Sequence, residues 1–170
     1  MSDGTPVTED AFLGDRLRLR QPAKGHRAGT DAILLAAAAP AEVSGLALDI
    51  GAGVGAAGLA LAKLRPQITF GLVENDPFAA ALARDNLSLN GLAGLGRVYE
   101  ADVLSSESLS AAGLLPGSAR LVITNPPFLD PARARLSPQP GKRAAHAMPA
   151  AQPRALAAWI VACIALLETG

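Results

Sequence analysis

Short apolar runs alternate with helix-like stretches along most of the chain. Four runs have the length of a buried strand, at residues 46–50, 69–74, 97–101 and 119–124. Each run is followed, directly or after a loop, by a segment of helical length, at residues 54–64, 77–90, 105–112 and 156–167. This alternation favours parallel strands whose connecting helices cover both faces of the sheet. The pattern therefore predicts an α/β fold with a doubly wound, mostly parallel sheet.

Capping residues and prolines mark where two of the helices begin and end. Thr30 is expected to cap an alanine-rich helix that Pro40 ends, and Asp76 is expected to cap the helix at 77–90. The segment before Thr30 is expected to be flexible. Residues 131–153, rich in proline, alanine and arginine, are expected to form a long loop, and such loops are usually functional or disordered.

Composition and charge exclude several classes of protein. The 170 residues include 15 basic and 15 acidic side chains, so the net charge gives no argument for or against a nucleic-acid partner. The longest apolar stretch, residues 155–167, is too short to cross a bilayer core of roughly 30 Å as a helix, so no membrane segment is expected. Residues 2–10 lack the pattern of a secretory signal, and the single Cys163 suits a reducing compartment. We therefore expect a globular cytoplasmic protein.

A glycine-rich segment at residues 49–55 lies between the first predicted strand and the helix after it. Glycine lets a backbone turn sharply there and approach a ligand closely, so a nucleotide-like cofactor is expected. Gly53, Gly55 and Gly58 also form the G-x-G-x-x-G pattern of dinucleotide-binding folds, and Glu74 follows where a ribose-binding acid belongs. The loop alone therefore leaves both kinds of cofactor open.

Asp49 distinguishes the two kinds of cofactor. It lies two residues before the first glycine, Gly51, at the end of the predicted strand. A carboxylate in that place is unfavourable beside a diphosphate, because like charges repel. It is favourable beside a cofactor that carries an ammonium and a sulfonium cation and has no phosphate.

The most specific chemical signal is the tetrapeptide of Asn125, Pro126, Pro127 and Phe128, which follows the fourth predicted strand. The two prolines make the backbone rigid and bias Asn125 toward an extended conformation. A planar amine could donate hydrogen bonds to the Asn125 side-chain oxygen and the Pro126 carbonyl while Phe128 packs on its plane. These four residues are the predicted catalytic set for a reaction at such an amine, mainly by positioning.

Both motifs resemble those of a known enzyme class. The acid-led glycine loop resembles the first motif of class I S-adenosylmethionine-dependent methyltransferases, and the tetrapeptide resembles that of members acting on adenine N6, cytosine N4 or a glutamine amide. Residues 25–35, GHRAGTDAILL, are similar to the lead-in of the group that methylates adenine N6 in valine tRNA. The resemblance covers most of the chain and implies the Rossmann-like class I methyltransferase fold.

The resemblance also assigns S-adenosyl-L-methionine as the cofactor and gives residues their roles. The glycine loop would hold the methionine part, Glu74 would accept hydrogen bonds from both ribose hydroxyls, and Asp102 from the adenine amino group. Arg27, Thr30 and Asp31 would line the methionine end. The expected cofactor-binding set is Arg27, Thr30, Asp49, Gly51, Gly53, Gly55, Glu74, Asn75, Asp102, Val103 and Asn125.

The implied reaction is methylation of the N6 amine of adenine in RNA, with tRNA as the expected substrate. Four basic side chains of the long loop are expected to hold the RNA backbone, namely Arg133, Arg135, Lys142 and Arg143. The alternatives are a protein glutamine N5-methyltransferase, a DNA or rRNA amino-methyltransferase, a non-catalytic RNA-binding module and, more distantly, an NAD-binding oxidoreductase. No cysteine and histidine set has the spacing of metal ligands, so no metal is expected. The oligomeric state stays open.

The expected domain organisation is a single methyltransferase domain over residues 1–170. Residues 1–40 would cover the substrate and cofactor, and residues 41–170 would form the Rossmann-like core. The sequence stops where a fifth strand should begin, so we expect a truncated chain whose later strands are missing.

Overall fold

The computed structural model describes residues 5–25, 27–126 and 153–169. The chain begins with two strands, β1 (Val7–Phe12) and β2 (Leu17–Pro22), and a helix, α1 (Thr30–Ala37). Strands and helices then alternate as β3 (Gly45–Ile50), α2 (Ala56–Leu64), β4 (Ile68–Glu74), α3 (Pro77–Leu89), β5 (Gly96–Glu100), α4 (Ser106–Ala111) and β6 (Leu121–Thr124). The last element described is helix α5 (Pro153–Leu166).

Strands β3 to β6 form one parallel sheet in the order β5-β4-β3-β6. The chain therefore builds outward from β3 to β5 and then crosses to the opposite side of β3 for β6. This change of direction next to β3 is a topological switch point, where ligands of open α/β sheets bind at the carboxyl ends of the strands. The predicted strands and their parallel arrangement are confirmed.

Helices cover both faces of this sheet, as predicted, because alternate residues of each strand point to opposite sides. Ala47 of β3 belongs to a core cluster that also contains buried residues of α1, α2 and α3. Its neighbour Leu48 belongs to a second cluster, with buried residues of α4 and α5. The fold therefore has three layers with the parallel sheet in the middle.

The first strands, β1 and β2, form a separate antiparallel hairpin. Leu17 and Leu19 of β2 are buried in the same core cluster as Ala47, while the arginines between and after them are exposed. The expectation of a flexible start is therefore wrong for residues 7–22. The two-residue alternation of β2 was the available signal, since it is typical of a half-buried strand.

Two asparagines, Asn86 of α3 and Asn90 at its C-cap, hold the hairpin in place. The side-chain oxygen of Asn86 accepts a hydrogen bond from the Arg20 N–H (2.7 Å), and its Nδ2 donates to the Arg20 carbonyl (2.9 Å). Asn90 pairs in the same way with the N–H and carbonyl of Arg18 (2.8 and 2.7 Å). Asn86 Nδ2 also donates to the Val54 carbonyl (3.0 Å), so one fully buried side chain joins the hairpin to the glycine-rich loop.

Helix α5 packs in a way that its apolar spacing predicts only in part. The spacing of Leu156, Ile160, Cys163 and Leu167 predicts that these residues share one face of the helix. The structure buries Cys163 together with Trp159 and Leu166 and leaves Leu156 and Ile160 exposed. Because this helix is apolar on nearly every side, spacing alone could not select the face. No helix in the described part of the chain is long and apolar enough to cross a membrane.

We predict that Asn86→Ala lowers the free energy of unfolding by about 2–3 kcal/mol, because it leaves the Arg20 and Val54 backbone groups without their buried partner. Urea denaturation measures the change. Ser88→Ala, at an exposed position of the same helix, serves as the control and should alter stability by less than about 0.5 kcal/mol. A loss below about 1 kcal/mol in Asn86→Ala would contradict the role given to this side chain.

Candidate functional site

The polar side chains predicted for the site lie along the carboxyl ends of the four parallel strands. Their order across this edge follows the strand order, with Asp102 after β5, Glu74 ending β4, Asp49 and the glycine loop at β3, and Asn125 after β6. Ile50 of β3 is in register with Thr124 of β6. The edge therefore brings together residues that are up to 76 positions apart in sequence.

The glycine-rich loop turns tightly at the end of β3. Gly51, Gly53 and Gly55 all have positive φ angles, of 71°, 56° and 87°, which side chains rarely tolerate. A Cβ on Gly53 would meet nothing within 4 Å, so the backbone there faces open space that a ligand could occupy. A Cβ on Gly58, in the first turns of α2, would instead collide with Leu72. Gly51, Gly53 and Gly55 therefore shape the loop, whereas Gly58 lets α2 pack on the sheet.

Asp49 is the buried acid of the site. Its Oδ2 accepts a hydrogen bond from the Gly58 N–H at 2.8 Å, which links the end of β3 to α2. Burial raises the pKa of Asp49 to about 7; the Gly58 N–H opposes this rise and the negative charge of Glu74 adds to it. The protein therefore keeps a carboxyl group in a place where its charge is unfavourable unless a cation lies nearby.

Glu74 uses both carboxylate oxygens in backbone contacts. Oε2 accepts from the Gly53 N–H at 2.7 Å, and Oε1 accepts from the Asp76 N–H at 2.8 Å. Asp76 caps α3 by accepting from the N–H groups of Phe78 and Ala79, as predicted. Because each carboxylate oxygen can accept more than one hydrogen bond, these contacts leave acceptor capacity at Glu74.

The other residues predicted to bind cofactor beside these acids have different exposures. Asp102 is exposed, and its Oδ1 accepts from the Leu104 N–H at 2.9 Å. Asn75 is also exposed, between Glu74 and the cap of α3. Val103 is buried in the core cluster shared with α4 and α5. The structure thus leaves Asp102 and Asn75 accessible at the edge and directs the Val103 side chain inward.

Asn125 follows β6 directly and has an exposed side chain. Its Nδ2 donates to Asp31 Oδ2, on the first turn of α1, at 2.6 Å. Thr124, before it, donates to the Ile50 carbonyl (2.8 Å) and accepts from the indole N–H of Trp159 (3.0 Å). Hydrogen bonds from three different elements therefore surround the start of the tetrapeptide.

Trp159 is a contributor that the sequence interpretation assigned to core packing alone. Its ring lies close to Gly51, where an added Cβ would be 3.1 Å from the ring. Together with its hydrogen bond to Thr124, this contact makes Trp159 a support for both the glycine loop and the end of β6. A tryptophan on an apolar helix gave no signal of either contact.

Arg27 lies in the segment between β2 and α1. The Arg27 guanidinium forms an ion pair with Asp10 (2.6 Å) and also donates to Thr8 and the Pro22 carbonyl, all in the hairpin. Hydrogen bonds from Gln21 and Thr8, with the Arg27 charge, lower the pKa of Asp10.

The predicted cap of α1 is wrong in one respect. The capping position is Gly29, and no side chain makes a capping hydrogen bond there. Thr30 is instead the exposed first residue of the helix. A threonine inside the first turn no longer has the extended backbone from which a cap side chain reaches the following N–H groups.

Pro126 is half-buried, and several other predicted residues lie outside the described residues. They are Pro127, Phe128, Arg133, Arg135, Lys142 and Arg143. Within the described ranges 5–25, 27–126 and 153–169, no group of three or more histidine, cysteine, aspartate or glutamate residues is arranged to hold a metal ion.

Comparison with known sequences gives a family match and two groups of relatives. The sequence model of the methyltransferase small domain matches residues 26–148. The tRNA1(Val) (adenine(37)-N6)-methyltransferase of Cronobacter sakazakii is 31% identical over 135 residues, which are 79% of this chain and 53% of that protein. The ribosomal RNA small subunit methyltransferase C of Pseudomonas entomophila is 38% identical over 85 residues, covering 50% of this chain and 23% of that protein. The chain thus spans about half the length of the first relative and about a quarter of the second.

Solved structures have the same fold. A protein of Agrobacterium tumefaciens described as a predicted O-methyltransferase is similar with a TM-score of 0.58 and 28% identity, covering 82% of this chain and 57% of that one. TYW2 of M. jannaschii in complex with AdoMet is similar with a TM-score of 0.56 and 19% identity, covering 72% and 52%. The second likeness is one of fold alone.

We predict that Asp49→Asn changes how stability depends on pH in the ligand-free protein. Between about pH 4 and pH 7 the folded wild type holds a proton on Asp49 that the unfolded chain releases, so its free energy of unfolding should fall as pH rises, by at most about 1.4 kcal/mol per pH unit. Asparagine cannot ionise and still accepts from Gly58. Chemical denaturation of both proteins across this range measures the difference, and a difference independent of pH would contradict the prediction.

Proposed function

The chain belongs to the methyltransferase small domain family, and on that premise we propose that it transfers a methyl group from S-adenosylmethionine to the N6 amine of adenine in RNA, with tRNA as the substrate. Membership in the class I methyltransferases, expected from the motifs, agrees with the family match and the fold. The observation that carries the proposal is the order of side chains along the sheet edge, from Asp102 through Glu74 and the glycine loop to Asn125. An RNA substrate of this kind also implies a cytoplasmic location.

The acids along this edge fit the chemistry of S-adenosylmethionine. Asp102, Glu74 and Asp49 follow one another at the ends of β5, β4 and β3. We assign them, in that order, to the adenine amine, the ribose diol and the cationic methionine end of the cofactor. A phosphate would be repelled by the same carboxylates, which argues against NAD. The open space next to Gly53 gives the ligand room at the loop. A bound cation would also offset the cost of ionising the buried Asp49.

Asn125 is the residue proposed to hold the acceptor. When bound, S-adenosylmethionine supplies the methyl carbon that the amine nitrogen attacks, leaving a thioether and releasing one amine proton to water. Asn125 would accept a hydrogen bond from the amine through Oδ1, and Pro126 would accept a second through its carbonyl. These two bonds fix the nitrogen and direct its lone pair to the methyl group, so that positioning contributes most of the rate.

The names of the relatives favour RNA over protein as the acceptor. The relative from Cronobacter sakazakii is named for adenine in a valine tRNA, and the one from Pseudomonas entomophila for small-subunit ribosomal RNA. The first match extends over 79% of this chain and the second over 50%. We therefore place tRNA first, ribosomal RNA second, and protein glutamine after both. A flipped, unstacked base would be needed in either RNA.

We predict that the protein binds S-adenosylhomocysteine and does not bind NAD. Isothermal titration calorimetry with each compound tests the choice of cofactor without any acceptor. The physical reason is the row of carboxylates, which suits a phosphate-free ligand. Tight binding of NAD with none of S-adenosylhomocysteine would support the oxidoreductase alternative and contradict the proposal.

We further predict that the protein methylates adenine N6 in unmodified tRNA, and that Asn125→Ala lowers turnover by roughly a hundredfold or more because the amine is no longer held. Mass spectrometry of nucleosides from treated tRNA measures the product. Parallel reactions contain ribosomal RNA and peptide release factors. In Asn125→Ala, turnover should fall by a much larger factor than the affinity for S-adenosylhomocysteine, because the proposal gives this side chain the acceptor to hold. Labelling of release factors alone would favour the glutamine alternative.

A further inference from the structure

Asp31 and Asn125 form a side-chain contact that neither motif predicted. They are 94 positions apart in sequence, on the first turn of α1 and immediately after β6, and Asn125 Nδ2 donates to Asp31 Oδ2 at 2.6 Å. Both side chains are exposed, so the contact lies at the surface of the protein and not in its core. The contact therefore affects the orientation of the Asn125 side-chain amide.

A carboxylate partner determines which end of an amide points toward it. An ionised carboxylate can only accept hydrogen bonds, and an asparagine donates only through Nδ2. With Nδ2 directed to Asp31, Oδ1 lies on the opposite side of the amide, and a flipped amide would place two acceptor oxygens against each other. Asp31 thus favours one of the two amide orientations.

We propose that Asp31 is a positioning residue that turns Asn125 so that Oδ1 is presented to the acceptor amine. The inference rests on the proposed function, in which this oxygen must accept a hydrogen bond from the amine. Hydrogen bonds to an ionised group are shorter and stronger than neutral ones, and the 2.6 Å distance agrees with one. Asp31 acts through Asn125 and need not touch the substrate.

The rest of the fold holds the helix that carries Asp31 in place. Ala32 and Ala36 bury one face of α1 in the core cluster, which fixes the helix relative to the sheet. Gly29, before the helix, leaves room for the carboxylate, since a Cβ there would be only 2.9 Å from Asp31 Oδ1. The backbone of Gly29 has a φ of −129°, which any residue can adopt, so its lack of a side chain matters for space alone.

The test compares Asp31→Ala and Asp31→Asn with wild type by two readouts. The first is the side-chain amide resonance of Asn125 in ¹H–¹⁵N NMR spectra, identified by its loss in Asn125→Ala. We expect it to shift upfield in Asp31→Ala, because the charge-assisted hydrogen bond is lost. The second is tRNA methylation, in which Asp31→Ala should lower kcat about tenfold and Asp31→Asn less, with affinity for S-adenosylhomocysteine changed less than about twofold.

Gly29→Ala provides a variant in which Asp31 itself is intact. The added methyl group would lie 2.9 Å from Asp31 Oδ1, so the carboxylate must shift. We expect this shift to weaken the contact with Asn125, so that the resonance shifts in the same direction and kcat falls. Glu42→Gln, which removes one exposed acid from the loop after α1, is the matched control for charge and should change neither readout.

The outcomes separate the two proposals. An unchanged Asn125 resonance in Asp31→Ala, or an unchanged kcat, overturns the role of Asp31. A fall in S-adenosylhomocysteine affinity as large as the fall in kcat also overturns it, because Asp31 would then act on the cofactor. A wild type that methylates neither tRNA nor ribosomal RNA contradicts the proposed function, while the resonance, which needs no substrate, still decides whether Asp31 orients the amide.

Discussion

The hydrogen bond from the Gly58 N–H to the buried Asp49 carboxylate determines the geometry at the centre of the sheet. It ties the end of β3 to α2 and so sets the path of the glycine loop between them. Glycine at position 58 permits this close approach, because a Cβ there would collide with the Leu72 side chain of the neighbouring strand unless that side chain moved. The burial that this close packing requires is also what raises the pKa of Asp49 to about 7. The same close packing therefore sets the geometry of the loop and raises the pKa of Asp49.

The reversal of strand order beside β3 creates the candidate site at the carboxyl ends of the strands. Since β4 and β5 extend to one side and β6 to the other, their carboxyl ends present side chains from four separate strands along one edge. Glu74 supports the glycine loop by accepting a hydrogen bond from the Gly53 N–H. On the opposite face of the sheet, the Trp159 ring lies close to Gly51. The loop is thus held from both sides before any ligand binds.

The amino-terminal hairpin belongs to the same arrangement. Asn86 connects the backbone of β2 to the Val54 carbonyl in the loop, and Arg27 pairs with Asp10 of β1. The segment predicted to line the methionine end therefore starts from an ordered hairpin packed on α3. The basic residues of this region are partly engaged in ion pairs with acids of the hairpin, because Arg20 also pairs with Glu9. The ordered hairpin limits where the lead-in to α1 can run.

The sequence by itself determined the alternation of strands and helices, the glycine loop and the acids that end successive strands, because these depend on local periodicity and turn chemistry. It missed the hairpin, and for α5 its spacing grouped the exposed Leu156 and Ile160 with the buried Cys163, because the apolar positions did not single out one side. Only the tertiary structure decided which distant groups meet, such as Asp31 with Asn125 and Trp159 with Thr124. Such contacts depend on how helices pack across the sheet, and no spacing along a single chain encodes that packing directly.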